Sequence, residues 1–312
     1  MAERTGPVDV VTTPAAAPLL ETHPAVRHVI PYDKRGRERG PAAFLALARR
    51  LAAAHYDVAY LPHRSLRTAL LALLARVPRR IGFADGWPFL YTDSRPRPKT
   101  GHEIDRLLAL AGAPSRAFAP RLYPTPADDR AVADFLATAG MTGDFVAVAP
   151  GSIWGSKRWP FFAELAPGLA AQAPVVVVGG ADDAPLGRAI VDAVARAGGR
   201  AADAAGRLTV RQSAALIGRA RLLVTNDSAP LHFASAFGTP VVALFGPTIP
   251  EFGFGPIGAS DVALGVTGLA CRPCSDHGPP ECPLGHHRCM RELRVATVLA
   301  TIEETGALRR RS

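Results

Sequence analysis

Hydrophobic positions along the chain form short β-branched runs that alternate with longer stretches rich in Ala, Leu and Arg. The short runs suit buried strands, whereas the longer stretches repeat their apolar positions at helical spacing. This alternation is typical of βα units on a parallel sheet. The predicted strands are residues 8–11, 28–31, 57–61, 80–83, 145–149, 175–178, 222–225 and 241–245. The predicted helices are residues 15–21, 41–54, 65–75, 102–111, 160–171, 184–196, 210–218, 230–237 and 295–308.

A proline-rich segment interrupts both periodicities near the middle of the chain. Its sequence, APRLYPTPADD, spans residues 119–129, and Asp128 or Asp129 is placed to cap the helix that follows. We therefore predict an N-terminal domain of residues 1–123 and a C-terminal domain of residues 124–312, both α/β and doubly wound. The length of 312 residues is sufficient for two such domains.

Composition narrows the class of protein. With 48% hydrophobic and 20% charged residues the chain is not disordered, and no apolar run approaches the ~18 residues of a membrane-spanning helix. The N-terminal residues lack the pattern of a signal peptide, so a cytoplasmic location is expected. The net charge of +9 predicts an acidic partner, which charge alone leaves open between nucleic acid, an anionic membrane and a phosphorylated substrate.

The loop after the strand at 145–149 carries candidate anion-binding chemistry. It reads APGSIWGSKRWP over residues 149–160, and Gly/Ser backbone N–H groups together with Lys157 and Arg158 suit an anion. It is not a P-loop, because Ser156 replaces the second glycine and Arg158 replaces the Mg²⁺-binding Ser/Thr. An ordinary surface loop with two solvated cations is the alternative.

A second loop follows the strand at 222–225. The sequence TNDSAPLHFASAFGTP places Pro230 in the first turn of a helix and Gly238 at its end. The N–H groups and positive dipole end at this helix N-terminus suit a phosphate, whereas the Asp227 carboxylate suits sugar hydroxyls or nearby amides. The alternative is that Asp227 and Ser228 only cap the helix.

Together the two loops predict a diphosphate site, and their sequences resemble the signature segments of glycosyltransferase family 9, the heptosyltransferases of lipopolysaccharide core assembly. The resemblance rests on PGSIWGSKRWP and TNDSAPLHFASAFGTPVVALFGPT, and it extends through TTPAAAPLLETHPAVRHVIPYDKRGR and LPHRSLRTALLALLARVPRRIGF. It implies a GT-B fold of two Rossmann-like domains facing a cleft, with the acceptor bound by the N-terminal domain. The C-terminal domain would bind ADP-heptose, and an inverting, metal-independent transfer would place the heptose on the inner-core/lipid A acceptor.

The resemblance also implies which residues bind the two substrates. Lys157 would contact the donor diphosphate and Asp227 the sugar hydroxyls, within a donor-binding set of Ser152, Lys157, Arg158, Thr225, Asp227, Ser228, Ala229, His232 and Thr248. Candidates for acceptor binding are the basic residues Lys34, Arg35, His63 and Arg64, for which a solvated face is the alternative. We expect a monomer in peripheral contact with the anionic inner membrane at its cytoplasmic face, and no nucleic-acid partner.

The start of the chain departs from the family pattern. Family members carry a loop of the form GDVVLTTP after their first strand, and its Asp is the expected general base. Here Asp9 precedes residues that normally follow the second strand, so the first βα unit is expected to be missing and no catalytic residue is assigned. A catalytically impaired nucleotide-sugar-binding homologue and a family member that uses another nucleotide sugar are therefore alternatives.

All four cysteines lie in one segment near three histidines. Cys271, Cys274, Cys282 and Cys289 supply enough soft ligands for a tetrahedral structural Zn²⁺, although their spacing differs from that of a CxxC…CxxC ribbon. A disulfide pair, which a reducing cytoplasm disfavours, and unligated thiols are the alternatives. No cofactor is expected for catalysis itself.

Overall fold

The computed structural model describes residues 6–113 and 119–308. The chain divides into two compact units, Met1–Ala119 (unit 1) and Pro120–Ser312 (unit 2). This division falls in the proline-rich segment, close to the predicted boundary after residue 123. Both units combine parallel strands with helices. None of the helices that the structure describes is long and apolar enough to cross a bilayer.

Unit 1 contains two parallel sheets. The strands are β1 (Val8–Thr12), β2 (Val26–Pro31), β3 (Val58–Leu61), β4 (Arg79–Phe83) and β5 (Asp93–Arg95), and the α-helices are α1 (Pro41–Ala53), α2 (Leu66–Leu74) and α3 (Glu103–Leu110). Strands β1 and β2 form one pair, whereas β3, β4 and β5 form the other sheet. The helix predicted at 15–21 is wrong, because only a 3-10 turn forms there, at Ala17–Leu19. Pro18 lacks the backbone N–H that a helix starting at residue 15 would need at this position.

Unit 2 is a six-stranded parallel sheet covered on both faces. Its strands are β6 (Val146–Ala149), β7 (Val175–Val177), β8 (Ala201–Asp203), β9 (Leu222–Asn226), β10 (Val241–Leu244) and β11 (Val262–Leu264). Its helices are α4 (Pro126–Thr138), α5 (Phe162–Ala170), α6 (Ala184–Arg196), α7 (Val210–Arg219), α8 (Ala229–Phe237), α9 (Arg288–Arg291) and α10 (Val295–Thr305). The strand order is β11-β10-β9-β6-β7-β8. Successive strands are added outward from β6 to one side and outward from β9 to the other, so the topological switch point lies between β6 and β9. Ligands bind at this point in doubly wound folds.

Alternation along the strands of unit 2 builds two apolar layers. Val146 and Val148 face one side of the sheet, whereas Ala147 and Ala149 face the other. Fully buried residues of α5 and α10 cover the first face, and those of α4, α7 and α8 cover the second: Leu165, Leu169, Val298 and Ile302, against Val132, Leu216, Ile217 and Leu231. Burial of each such aliphatic side chain contributes about 1.5–3 kcal/mol, which holds the strand ends in fixed positions.

Three strands, the short helix α9 and the start of α4 depart from the sequence prediction. Strands β5, β8 and β11 lie at sheet edges and have three residues each, too few for a recognisable apolar period. The helix α4 is capped by Thr125, which forms a reciprocal capping box with Asp128, so the prediction that Asp128 or Asp129 is the cap is wrong.

Asp128 also joins α4 to α7. Its Oδ2 lies 2.6 Å from Arg211 Nε and accepts hydrogen bonds from the backbone N and the hydroxyl of Thr125 at 2.8 and 2.7 Å. Burial raises the pKa of the Asp128 carboxyl, but the hydrogen bonds from Arg211 and Thr125 outweigh burial and hold this pKa below its usual range. The carboxylate therefore contributes stability only while it is ionised.

We predict that Asp128→Asn lowers the free energy of unfolding at pH 7 by about 2–3 kcal/mol, since it removes a charged partner from buried donors. Because the folded-state pKa is depressed, this contribution is full above the ordinary carboxyl pKa of about 3.9 and disappears as the pH falls through the folded value. Urea unfolding between pH 7 and pH 3 measures it. The exposed Asp134→Asn on the same helix is the control and should change stability by less than about 0.5 kcal/mol; an equal loss in both variants would contradict the role of the Arg211 contact.

Candidate functional site

Two loops meet at the carboxyl edge of the unit 2 sheet, between β6 and β9. Asn226, at the end of β9, is fully buried and connects them. Its Nδ2 donates to the carbonyl of Pro150 at 2.8 Å, and its Oδ1 accepts from the backbone N of Trp159 at 3.0 Å. One amide side chain therefore holds both ends of the loop 150–159 against the neighbouring strand.

A buried ion pair lies at the centre of this junction. Lys157 Nζ is 2.6 Å from Asp227 Oδ2, and the Thr248 hydroxyl donates to the same oxygen at 2.7 Å. The two charged side chains are only 10% and 9% exposed, so their attraction is little screened by solvent. A lysine ammonium carries three N–H groups, and the bond to Asp227 uses one of them. The geometry joins the first loop, the end of β9 and the segment after β10.

The N-terminus of α8 is not capped by the side chains that precede it. Ser228 occupies the N-cap position but makes no side-chain cap hydrogen bond, and its hydroxyl donates instead to the Asn226 carbonyl at 3.4 Å. The Asp227 carboxylate is bonded to Lys157 and Thr248. The alternative in which Asp227 and Ser228 only cap the helix is therefore wrong. The backbone N–H of Ala229 lies in the first turn, where a phosphate can be bound.

The other predicted donor residues occupy different depths. Ser152 and Arg158 share the first loop, where Arg158 is exposed and its Nε donates to the Ser152 carbonyl at 2.8 Å. His232 is exposed on α8. Thr225 is fully buried beneath the junction, and its hydroxyl donates to the Asn226 carbonyl at 3.0 Å.

Part of the site comes from the cysteine segment, which sequence reasoning did not connect to Lys157. The backbone N of Ser156 donates to the Pro280 carbonyl at 3.1 Å, and the Ser156 hydroxyl donates to the Pro279 carbonyl. Gly278 lies against the Lys157 side chain, where an added Cβ would be 2.8 Å from Cε. No local sequence pattern reports contacts between residues so distant in the chain. The sequence does contain a feature that could have identified Asn226 as a site residue, since it is a polar residue at the end of an apolar strand.

The four cysteines are unpaired thiols. Cys271 Sγ lies 4.0 Å from His286 Nε2, and Cys289 is buried in the core of unit 2, where burial raises the pKa of its thiol to about 11. Cys282 is surrounded by backbone N–H groups of residues 284–287, which outweigh its burial and lower its thiol pKa. Across residues 6–113 and 119–308, no group of three His, Cys, Asp or Glu side chains converges on a metal-binding position.

The predicted acceptor residues lie in unit 1 at the carboxyl ends of two strands. Lys34 and Arg35 are exposed in the loop after β2, and His63 and Arg64 are exposed in the loop after β3. The Arg64 guanidinium is 3.8 Å from the carboxylate of Asp85. These positions match the strand-end placement expected from the sequence.

Asp9 is held by the side chains of Arg27, Tyr56 and His28 and is unsuited to proton abstraction. The Arg27 guanidinium donates to its two oxygens at 2.9 and 3.0 Å, and the Tyr56 hydroxyl donates to Oδ2 at 2.5 Å. These bonds, that of Arg27 above all, hold the pKa of the Asp9 carboxyl far below its usual range. A carboxylate stabilised in this way is a weak base, which agrees with leaving Asp9 out of the catalytic assignment.

Comparison with known sequences shows the family to which the chain belongs. The sequence model of "Glycosyltransferase family 9 (heptosyltransferase)" matches residues 44–284. Lipopolysaccharide heptosyltransferase 2 of Salmonella typhimurium strain LT2 is 28% identical over 264 residues, which is 78% of this chain and 75% of that protein. The protein of the same name from Escherichia coli K12 is 28% identical over 263 residues, with the same coverage.

Solved structures agree with the sequence comparison. The chain is similar to E. coli ADP-heptose lps heptosyltransferase II with a TM-score of 0.76 and 25% identity, over 97% of this chain and 91% of that one. A family 9 glycosyltransferase from Veillonella parvula shares the fold, with a TM-score of 0.80 and 23% identity over 96% and 88% of the two chains. The fold is therefore of the GT-B class, and the chain belongs to glycosyltransferase family 9.

Proposed function

We propose that this protein transfers heptose from ADP-heptose to the inner-core/lipid A acceptor of lipopolysaccharide. The observation that carries the proposal is the Lys157–Asp227 pair at the point where the unit 2 sheet reverses its strand order. Relatives of this chain are named lipopolysaccharide heptosyltransferase 2, which supports the choice of sugar and acceptor.

The donor site works by charge neutralisation. Breakage of the bond between the sugar and the diphosphate leaves a new negative charge on ADP, and an ammonium with a helix N-terminus stabilises such a charge in a water-poor site. In our proposal Lys157 and the first turn of α8 bind the diphosphate without a metal ion. Asp227, oriented by Thr248, then accepts hydrogen bonds from the sugar hydroxyls.

The acceptor side is proposed for unit 1. Lys34, Arg35, His63 and Arg64 are exposed at strand ends, and their positive charge suits the phosphates of a lipid-anchored acceptor. The acceptor hydroxyl would attack the sugar from the face opposite to the diphosphate, which inverts the configuration. Transfer would take place at the cytoplasmic face of the inner membrane. The base that removes the hydroxyl proton is not assigned among the described residues.

The function is tested by incubating the full chain with ADP-heptose and a lipopolysaccharide acceptor that lacks its heptose. We expect release of ADP and a mass increase of one heptose on the acceptor. Binding of ADP-heptose without transfer would identify a catalytically impaired homologue. Transfer from another nucleotide sugar but not from ADP-heptose would contradict the proposed donor.

We predict that Lys157→Met weakens ADP binding by about 10- to 100-fold, since a hydrogen bond between charged groups contributes about 1.5–3 kcal/mol. Isothermal titration calorimetry measures the affinity. Arg188→Gln, which removes a positive charge from an exposed position of α6, is the control and should bind ADP like the unaltered protein.

Loss of Lys157 alone leaves Asp227 buried without its cation, which can destabilise the fold by about 3–5 kcal/mol. The double variant Lys157→Met/Asp227→Asn removes both charges and should recover most of this stability without recovering ADP affinity. If the double variant regained full affinity, Lys157 would be a structural residue only.

We predict that Asn226→Asp destabilises unit 2 by about 2–3 kcal/mol and weakens ADP binding, because a buried carboxylate would face the carbonyl of Pro150 where the amide now donates. Urea unfolding and calorimetry measure the two effects. Gln212→Glu makes the same chemical change within the capping box of α7, where either residue can accept from the Thr209 backbone, and should be neutral. Equal effects of the two variants would rule out a loop-holding role for Asn226.

We also propose that the cysteine segment takes up one structural Zn²⁺. Four thiols within one short segment, with backbone N–H groups directed at Cys282, support this proposal. No three of these side chains converge on a metal-binding position among the described residues, so zinc uptake requires the cysteine segment to rearrange. We predict about one equivalent of zinc by elemental analysis, loss of that zinc in Cys271→Ser/Cys274→Ser, and retention in the neighbouring Ser275→Ala. Zinc-free protein with an unchanged melting temperature in the presence of a chelator would contradict the proposal.

A further inference from the structure

Helix α2 of unit 1 is apolar on two opposite sides, and only one of them is packed. Ala69, Leu71 and Ala72 are buried in the core of unit 1. The outward side carries Leu66, Leu70, Leu73 and Leu74, a set at helical spacing that we name the leucine stripe. Leu66, Leu73 and Leu74 are 38%, 38% and 45% exposed. A short helix that presents this much apolar surface to water indicates a partner surface.

The apolar surface continues from α2 onto α1. A groove of about 470 Å³ lies between the N-terminal turns of the two helices and is lined by Arg39, Pro41, Phe44, Leu66, Arg67 and Leu70. The Arg67 guanidinium stacks 5.6 Å above the Phe44 ring and donates to the Tyr32 hydroxyl at 3.1 Å. These contacts fix an arginine beside the leucine stripe. Leu45 of α1 is also exposed, at 44%.

Exposed positive charge flanks the helices of this apolar surface along the chain. Unit 1 contains 18 Lys+Arg against 10 Asp+Glu, a net charge of +8 out of the +9 of the whole chain. Exposed basic residues precede α1, precede α2 and follow α2, and we name them the basic rim: Lys34, Arg35, Arg37, Arg39, Arg64 and Arg76. The partner surface must therefore be both apolar and anionic.

We propose that unit 1 docks on an anionic phospholipid bilayer through the leucine stripe and the basic rim. Leucines enter the boundary between headgroups and acyl chains while cations contact lipid phosphates, and the two contributions together give peripheral binding. A second copy of the chain fits less well, because a two-fold contact would bring two basic rims together. The inference rests on the proposed function, since a lipid-anchored acceptor lies in such a bilayer.

The proposal is tested by sedimentation of the full chain with vesicles. One set contains phosphatidylcholine alone, and the other contains phosphatidylcholine with about one third phosphatidylglycerol, each at low and high salt. The variant Leu73→Glu/Leu74→Glu places two charges in the leucine stripe at exposed positions. The control Leu107→Glu/Ile257→Glu makes the same charge change at residues of 39% and 41% exposure outside it. ADP binding and the melting temperature are measured on every sample.

We expect the unaltered protein and the control to sediment with anionic vesicles, and less so at high salt. The fraction of the leucine-stripe variant that sediments should be at least five-fold lower than that of the unaltered protein. Intact ADP binding in that variant shows that unit 2 is unaffected. Equal sedimentation of all three proteins, or a dimer in solution that the leucine-stripe variant dissociates without any effect on vesicle binding, would overturn the proposal. Absence of ADP binding alongside normal sedimentation would count against the proposed function and not against docking.

Discussion

Strand β9 runs through the middle of the unit 2 sheet and ends in Thr225 and Asn226, which Asp227 follows directly. All three of these polar residues are buried. Buried polar groups are costly unless they are hydrogen-bonded, so each of these side chains must find a partner near the strand end. Asn226 forms hydrogen bonds with the two ends of the loop after β6, and Asp227 pairs with Lys157 and accepts a hydrogen bond from Thr248. This requirement draws three chain segments together at one edge of the sheet.

The same requirement gives the site its chemistry. A lysine held by a buried carboxylate is placed before any ligand arrives, and so is the carboxylate. Such preorganisation reduces the entropy lost when a charged ligand binds. The segment 278–280 covers the Lys157 loop from the other side, which gives the cysteine-containing region a structural part in the site whatever its metal content.

Charge and apolar surface are distributed unequally between the two units. Unit 2 is nearly neutral and holds the buried ion pair, whereas unit 1 carries most of the net charge and the exposed leucines of α2. This division suits the proposed function, in which unit 2 binds a small charged donor and unit 1 a lipid-anchored acceptor.

The sequence was sufficient to predict the long buried strands, most helices and the two loops of the site, because apolar periodicity and strand-end glycines are local signals. It did not reveal the edge strands β5, β8 and β11, which are short, or the 3-10 turn at Ala17–Leu19, where a proline overrides the helical composition. Nor could it show that Lys157 pairs with Asp227, or that Pro279 and Pro280 contact Ser156, because tertiary packing decides these contacts. The two loops together predicted a diphosphate site, and the resemblance to family 9 supplied the sugar nucleotide and the acceptor that the residues alone left open.

We propose that the junction of β6 and β9 binds the diphosphate of an ADP-sugar. Calorimetric titration of the unaltered chain with ADP, UDP and GDP under identical conditions tests it most directly. We expect one site per chain, with ADP bound at least ten-fold more tightly than UDP or GDP. A folded sample that binds none of the three nucleotides, or that binds UDP as tightly as ADP, would contradict it.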